Sequence, residues 1–164
     1  MSATATPFQA FIDEHREPVL AFLRAMVGPS DADDCFQETF IAALRAYERM
    51  DGRHPRAWVM TIARRKAIDH HRARARRPEP RAQPPEPAAR DPRDGGEGEG
   101  AGEIWAAVAD LPAGQRAAVA LRYAADLSYR EIGEALDCSE EAARRRVSDA
   151  HRALRATIDR EDVP

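Results

Sequence analysis

Long apolar runs are missing from this 164-residue chain. None approaches the roughly 20 residues that span a bilayer, so no membrane insertion is expected. The stretch from Met1 to Pro7 has neither the basic nor the apolar part of a secretory signal. Cysteine is scarce, and Cys35 and Cys138 stand far apart without a CxxC pair. Two such thiols point to a reducing compartment and hence to a cytoplasmic protein. In helical surroundings each reads as a small buried thiol. Catalytic fingerprints are lacking too: there is no HExxH, Walker loop, GxSxG or dinucleotide-binding glycine pattern. His70 and His71 adjoin, so on a helix they diverge by about 100° and make a poor metal pair. No cofactor, no metal and no enzymatic activity are therefore expected. An enzyme using His54, His70 and His71 for a metal is the weakest alternative.

Net charge is also small, formally −3, but it conceals a segregation. Residues 1–52 are net acidic, while residues 53–77 hold nine Lys/Arg against Asp69 alone. Charge acts locally, within about 8 Å in physiological salt, so this block can bind a polyanion despite the overall balance. A third segment, 78–102, contains six Pro and five Gly and no large apolar residue. It cannot bury enough surface to offset its ordering entropy and reads as a disordered tether.

The remaining sequence has helical periodicity on both sides of that tether, which predicts an all-α chain of two small helical domains joined by a disordered Pro/Gly-rich linker. In the N-terminal part, Phe8, Phe11, Ile12, Val19, Leu20, Phe22, Leu23 and Met26 recur near helical spacing. Gly28-Pro29 stops that segment, and Ser30 or Asp31 can cap the next. A helix over about 33–49 is expected, with Phe36, Phe40, Leu44 and Tyr47 on one inward stripe. Another begins at Pro55 with Trp58, Ile62 and Ala63 inward, and frays at Pro78. In the C-terminal part, a helix over about 103–109 precedes one opened by Pro112. Ser128 and Glu131 form a capping box before Ile132 and Leu136. Asp137-Cys138 make a turn, and Ser139 caps a long final helix with Ala143, Val147, Ala150 and Leu154 inward.

Three constellations bear on function. The short helix, turn and long helix of 128–155 have helix-turn-helix proportions. The outer face of the long helix carries Glu140, Arg144, Arg145, Ser148 and Arg152, and arginine forks suit guanine edges and phosphates. The basic block supplies Arg53, Arg56, Arg64, Arg65 and Lys66 for a phosphate grip. Tyr47, His54 and Trp58 lie close enough in sequence to stack on bases, although Trp58 shares the face of Ile62 and fits the core better. The helix over 33–49 shows Asp33, Asp34, Gln37 and Glu38, which suit either the helix dipole or a basic protein partner.

Together these segments resemble an extracytoplasmic-function (ECF) sigma factor of bacterial RNA polymerase. DADDCFQETFIAALR at 31–45 is similar to the family's region 2.2, usually D-x-x-Q-E-x-F. PRAWVMTIARRKAIDHHR at 55–72 is similar to regions 2.3 and 2.4, usually R-A-W-L-x-x-I-A-R-N. LPAGQRAAVALRYAADLSYREIGEALDCSEEAARRRVSDAHRALR at 111–155 is similar to region 4.

The resemblance implies a region 2 domain at 1–77, a linker at 78–102 in place of region 3, and a region 4 domain at 103–160. It implies that Asp34, Gln37 and Glu38 dock on the β′ clamp helices of core RNA polymerase, and that the β flap is a second polymerase contact. It implies that Arg53, His54, Arg56, Arg64, Arg65 and Lys66 open and hold the minus-ten element. Glu140, Arg144, Arg145, Ser148 and Arg152 would then read the minus-thirty-five element in promoter DNA. Two parts on a loose tether also suit capture by an anti-sigma partner. Four positions depart from the family pattern. Arg65 replaces Asn, Ala142-Ala143 replace Thr-Val, and Asp149 stands where Arg or Lys is common. The alternative is a sigma-derived helix-turn-helix regulator that no longer serves polymerase.

Overall fold

The computed structural model describes residues 7–76 and 101–161, with the backbone alone for Ala101, Gly102 and Glu161. The expected tether, apart from its last two residues, lies outside the described residues. Seven α-helices account for most of the rest: α1 Phe8–Val27, α2 Pro29–Ala46, α3 Pro55–Arg76, α4 Ala101–Ala109, α5 Ala113–Tyr123, α6 Tyr129–Leu136 and α7 Glu140–Glu161. A single 3-10 turn, Tyr47–Arg49, follows α2.

Helix α1 runs through Pro18, which withholds one backbone N–H. Burial of Phe11, His15, Val19, Phe22, Leu23 and Met26 down one side holds the helix together, so packing overrides the local propensity. Gly28 adopts φ 85° and takes the N-cap place of α2. Pro29 then fills the first helical position, where its fixed φ suits the helix and its missing N–H costs nothing. The helix thus starts at Pro29, earlier than the expected position behind Ser30 or Asp31. Helix α4 likewise starts at Ala101, two residues inside the expected tether, and Pro112 caps α5 from just outside it.

Two inward stripes differ from expectation. In α2 the buried residues are Ala32, Cys35, Thr39, Phe40 and Ala43, while Leu44 is 56% exposed. At 3.6 residues per turn, the line from Phe36 through Phe40 to Leu44 drifts off the buried face, and Ala43 replaces Leu44. In α3, Ala57, Val59, Met60, Ala63 and Ala67 are buried, whereas Trp58 and Ile62 pack at the margin of the core. Helix α3 lies against α1 and α2 and also against α6, so it buries more than a single stripe.

The two parts therefore do not stand apart. One apolar cluster runs from Phe22, Leu23 and Met60 into Ala117, Leu121 and Ile132. Helix α1 packs on α5, and α3 packs on α6. A smaller cluster of Val108, Leu111, Val119 and Ala150 ties α4, α5 and α7 together. An aromatic group centred on Phe11 touches Phe8, Phe40, Tyr47 and Trp58 within 6.4 Å. Tyr47 and Trp58 are thus packing residues here, and the base-stacking reading does not describe their surroundings. Cys35 is buried, and burial pushes its thiol pKa up to about 11, with Glu38 adding to the rise.

His15 is the most exacting core residue. It is 2% exposed, its ring meets Phe11 at 4.5 Å, and its Nδ1 has no hydrogen-bond partner. Burial lowers its pKa below the ordinary 6.5; Arg56 adds to the lowering and Glu14 opposes it. The folded chain therefore binds fewer protons at this site than the unfolded chain. The stability that His15 contributes is full above pH 6.5 and falls as pH drops below that value. Between about pH 7.5 and pH 5.5, the denaturation midpoint of wild type should fall more than that of His15→Leu. Equal slopes for the two proteins would contradict the neutral, buried His15.

Candidate nucleic-acid interface

The helix-turn-helix is built from local chemistry. Ser128 caps α6: its Oγ accepts from the Glu131 N–H at 3.3 Å, and its own N–H donates to Glu131 Oε2 at 2.8 Å. This is the expected capping box, and a cap of this kind contributes about 1 kcal/mol. Burial pushes the Glu131 carboxyl up. Ser128's N–H and hydroxyl, with His54 and Arg56, outweigh that, leaving its pKa below the ordinary carboxylate value. Helix α6 ends where Asp137 enters the left-handed region, φ 52°. The Cys138 N–H donates to the Gly133 carbonyl at 2.9 Å. Gly133 is required there because a Cβ would sit 2.7 Å from the Cys138 carbonyl oxygen. Ser139 Oγ then accepts from the Ala142 N–H at 3.1 Å and opens α7.

Helix α7 buries Ala143, Val147 and Ala150, with Leu154 packed beside them. Glu140, Arg144, Arg145, Ser148 and Arg152 are exposed on the other side, as their spacing requires. Each arginine among them has an acidic neighbour: Arg144 with Glu140 at 3.1 Å, Arg145 with Glu141 at 3.5 Å and Arg152 with Asp149 at 3.4 Å. Exposed pairs one turn apart are worth only about 0.3–0.5 kcal/mol, so a phosphate or base edge can displace them. Asp149, the departure from the family pattern, here partners Arg152. Beside this face, Ile104, Trp105, Val108, Val119, Tyr123, His151 and Leu154 line a largely apolar groove of about 260 Å³. Ile104, Trp105 and Tyr123 are exposed there, and Tyr123 Oη lies 2.8 Å from His151 Nε2.

In the basic block, Asp51 Oδ1 accepts from the Arg53 N–H at 3.1 Å, and Gly52 supplies the φ of 74° that the turn needs. Pro55 follows as the first residue of α3. Two of the nominated residues face the C-terminal part. Arg56 Nη1 donates to the Ala125 carbonyl at 3.2 Å, and His54 Nδ1 lies 3.9 Å from Glu131 Oε1. Arg64, Arg65 and Lys66 are consecutive, so they fan around α3 by about 100° per residue. Of the three, Arg65 is exposed, with Arg64 and Lys66 half-buried. Further along, His70 and Arg74 both reach Asp31 Oδ2, at 3.2 and 2.9 Å. His71 Nε2 contacts the Met26 carbonyl at 2.8 Å, so the two histidines diverge and tie α3 to the α1–α2 corner.

On α2, Asp34, Gln37 and Glu38 are exposed. Ile41 and Leu44, 52% and 56% exposed, continue that line at helical spacing. Sequence reasoning assigned Leu44 to the core and passed over Ile41. It also passed over Tyr129, over whose ring the guanidinium carbons of Arg122 and Arg144 lie at 5.1 and 5.0 Å.

Known proteins match both parts. The Sigma-70 region 2 family model covers residues 11–77, and the Sigma-70, region 4 model covers residues 101–154. The probable RNA polymerase sigma-C factor of Mycobacterium bovis is 32% identical over 157 residues, 94% of this chain and 85% of that protein. The ECF RNA polymerase sigma factor SigX of Bacillus subtilis is 28% identical over 158 residues, 90% of this chain and 80% of that protein. Among solved structures, the sigma factor RpoE in complex with the anti-sigma factor NepR, from Bartonella quintana, shares the fold. Its TM-score is 0.73 at 22% identity, over 93% of this chain and 96% of that one.

Two substitutions test this geometry. Arg56→Ala removes a charged donor from the carbonyl of the buried Ala125 and should destabilise the chain by about 1–3 kcal/mol. Backbone amide exchange should rise around α6; exchange and stability like wild type would contradict the contact. Gly133→Ala forces a methyl against the turn and should cost about 1–3 kcal/mol, read as a lowered unfolding midpoint. A fully stable Gly133→Ala variant would mean that α6 and α7 can separate without penalty.

Proposed function

Because the chain belongs to the ECF sigma factor family, we propose that it binds core RNA polymerase in the cytoplasm and directs it to promoters, with no catalytic step of its own. The observation that carries this reading is the ordered presence, in one chain, of a region 2 part with an exposed acidic helix and a region 4 helix-turn-helix. In this reading Asp34, Gln37 and Glu38 meet the β′ clamp helices, and Ile41 and Leu44 add apolar area to that contact. The groove beside Trp105 and Tyr123 receives the β flap. Glu140, Arg144, Arg145, Ser148 and Arg152 enter the major groove of the minus-thirty-five element.

Arg53, His54, Arg56, Arg64, Arg65 and Lys66 hold the opened minus-ten strand. Flipping a base from the stack costs a few kcal/mol, which backbone neutralisation and pocket contacts must offset. His54 and Arg56 are engaged with Glu131 and Ala125, so gripping a strand means exchanging those partners and parting α3 from α6. Two linked parts also suit an anti-sigma partner that covers both; the RpoE structure that shares this fold is itself a complex with the anti-sigma factor NepR. The regulator reading is not favoured, because the region 2 and region 4 models both match this chain and the proteins similar to it over most of its length are named sigma factors.

The test uses Asp34→Lys/Glu38→Lys in the full chain. Wild type should co-purify with core polymerase and support transcription from a promoter chosen by genomic selection. The double variant should lose at least about tenfold in polymerase affinity, equivalent to about 1.4 kcal/mol, while still folding. A wild-type chain that forms no complex with core polymerase would sink the proposal.

A further inference from the structure

We infer that Tyr129 is a positioning residue for base reading, holding the Arg144 guanidinium in the pose from which it meets a base edge. This inference rests on the assignment of α7 to the major groove. Tyr129 opens α6 immediately after the Ser128 cap. Its ring is held from α5, where Arg122 lies over it at 5.1 Å and is itself anchored to the Leu127 carbonyl at 2.9 Å. From α7, Arg144 lies over the same ring at 5.0 Å and donates from Nη2 to Glu140 at 3.1 Å.

A side chain 62% exposed, as Arg144 is, ordinarily samples many rotamers, and arresting them on DNA weakens binding. Here two partners arrest Arg144 before DNA arrives. The two kinds of contact do not compete with base reading. The ring attracts the guanidinium charge as a whole, whereas guanine O6 and N7 are met by its individual N–H groups. Glu140 occupies one of the five N–H donors, and the remainder stay available. Glu140 alone would leave the side chain on a weak exposed pair, so the ring is what fixes the direction of the fork. A neutral aromatic at the start of α6 thereby acts on sequence preference from outside the reading helix.

The experiment uses the full chain bound to core polymerase and a DNA duplex selected by wild type from a random library, with a scrambled duplex as reference. Tyr129→Phe keeps the ring and should bind both duplexes as wild type does. Tyr129→Leu should weaken the selected duplex by about threefold to tenfold and leave the scrambled duplex unchanged. In an Arg144→Ala background, Tyr129→Leu should have no further effect on the selected duplex. Nuclear magnetic resonance of the free chain should show the Arg144 Nε–H more mobile in Tyr129→Leu than in wild type. Equal losses on both duplexes, or the same loss without Arg144, would indicate a merely structural tyrosine and overturn the inference. Wild-type preference for the selected duplex with no effect of Tyr129→Leu overturns the inference alone. A wild-type chain with no preference for any duplex overturns it together with the groove assignment.

Discussion

The seam where α1 meets α5 and α3 meets α6 is the contact on which the rest of the structure depends. A helical part of roughly 60 residues buries only about 60% of the surface its unfolded chain exposes, and each part here is near that size. Joining them lets Phe22, Leu23 and Met60 share one core with Ala117, Leu121 and Ile132. Small residues on the C-terminal side, Ala117, Ala118, Ala120 and Ala125, are all buried and permit close approach of the backbones. The seam also explains the charged contacts at its edge. Arg56 reaches a carbonyl next to the turn before α6, and His54 faces the carboxylate of the α6 capping box.

Seam and function pull against one another in this chain. Residues at the start of α3 that suit a nucleic-acid strand are the ones that hold the two parts together. The faces of α2 and α7 lie outside the seam, so the acidic line from Asp34 to Leu44 and the arginine line from Glu140 to Arg152 stay accessible without rearrangement. Under the proposed function, polymerase and the helix-turn-helix sites would engage first, and the α3 strand grip would follow once α3 leaves α6. The weak exposed pairs of Arg145 and Arg152 on α7 fit such exchange, because each of these arginines gives up little when it turns from a carboxylate to a phosphate.

The helix-turn-helix shows how local rules and close packing combine. The capping box, the left-handed Asp137 and the Ser139 cap are each specified by a few neighbouring residues, and each formed as their residue types require. Gly133 is different in kind, because nothing within α6 demands it. Its need arises only when the Cys138 carbonyl folds back to 2.7 Å from where a Cβ would be. Tyr129 belongs with Gly133: its ring gains meaning only when Arg122 and Arg144, from two other helices, arrive over it.

The sequence by itself determined the all-helical class, the two-part organisation, the caps at Ser128 and Ser139 and the inward line from Ala143 to Ala150. It also determined the outward placement of Glu140, Arg144, Arg145, Ser148, Arg152, Asp34, Gln37 and Glu38. These follow from helical period and terminal hydrogen bonding, which act over a few residues. Tertiary structure alone decided that Leu44 faces outward and Ala43 inward, and that α3 buries more than one stripe. It also placed Tyr47 and Trp58 around Phe11, and turned His54 and Arg56 toward the other part. The physical reason is that burial depends on which helix comes to lie opposite, and that partner can be some 70 residues away along the chain, as Ala125 is from Arg56.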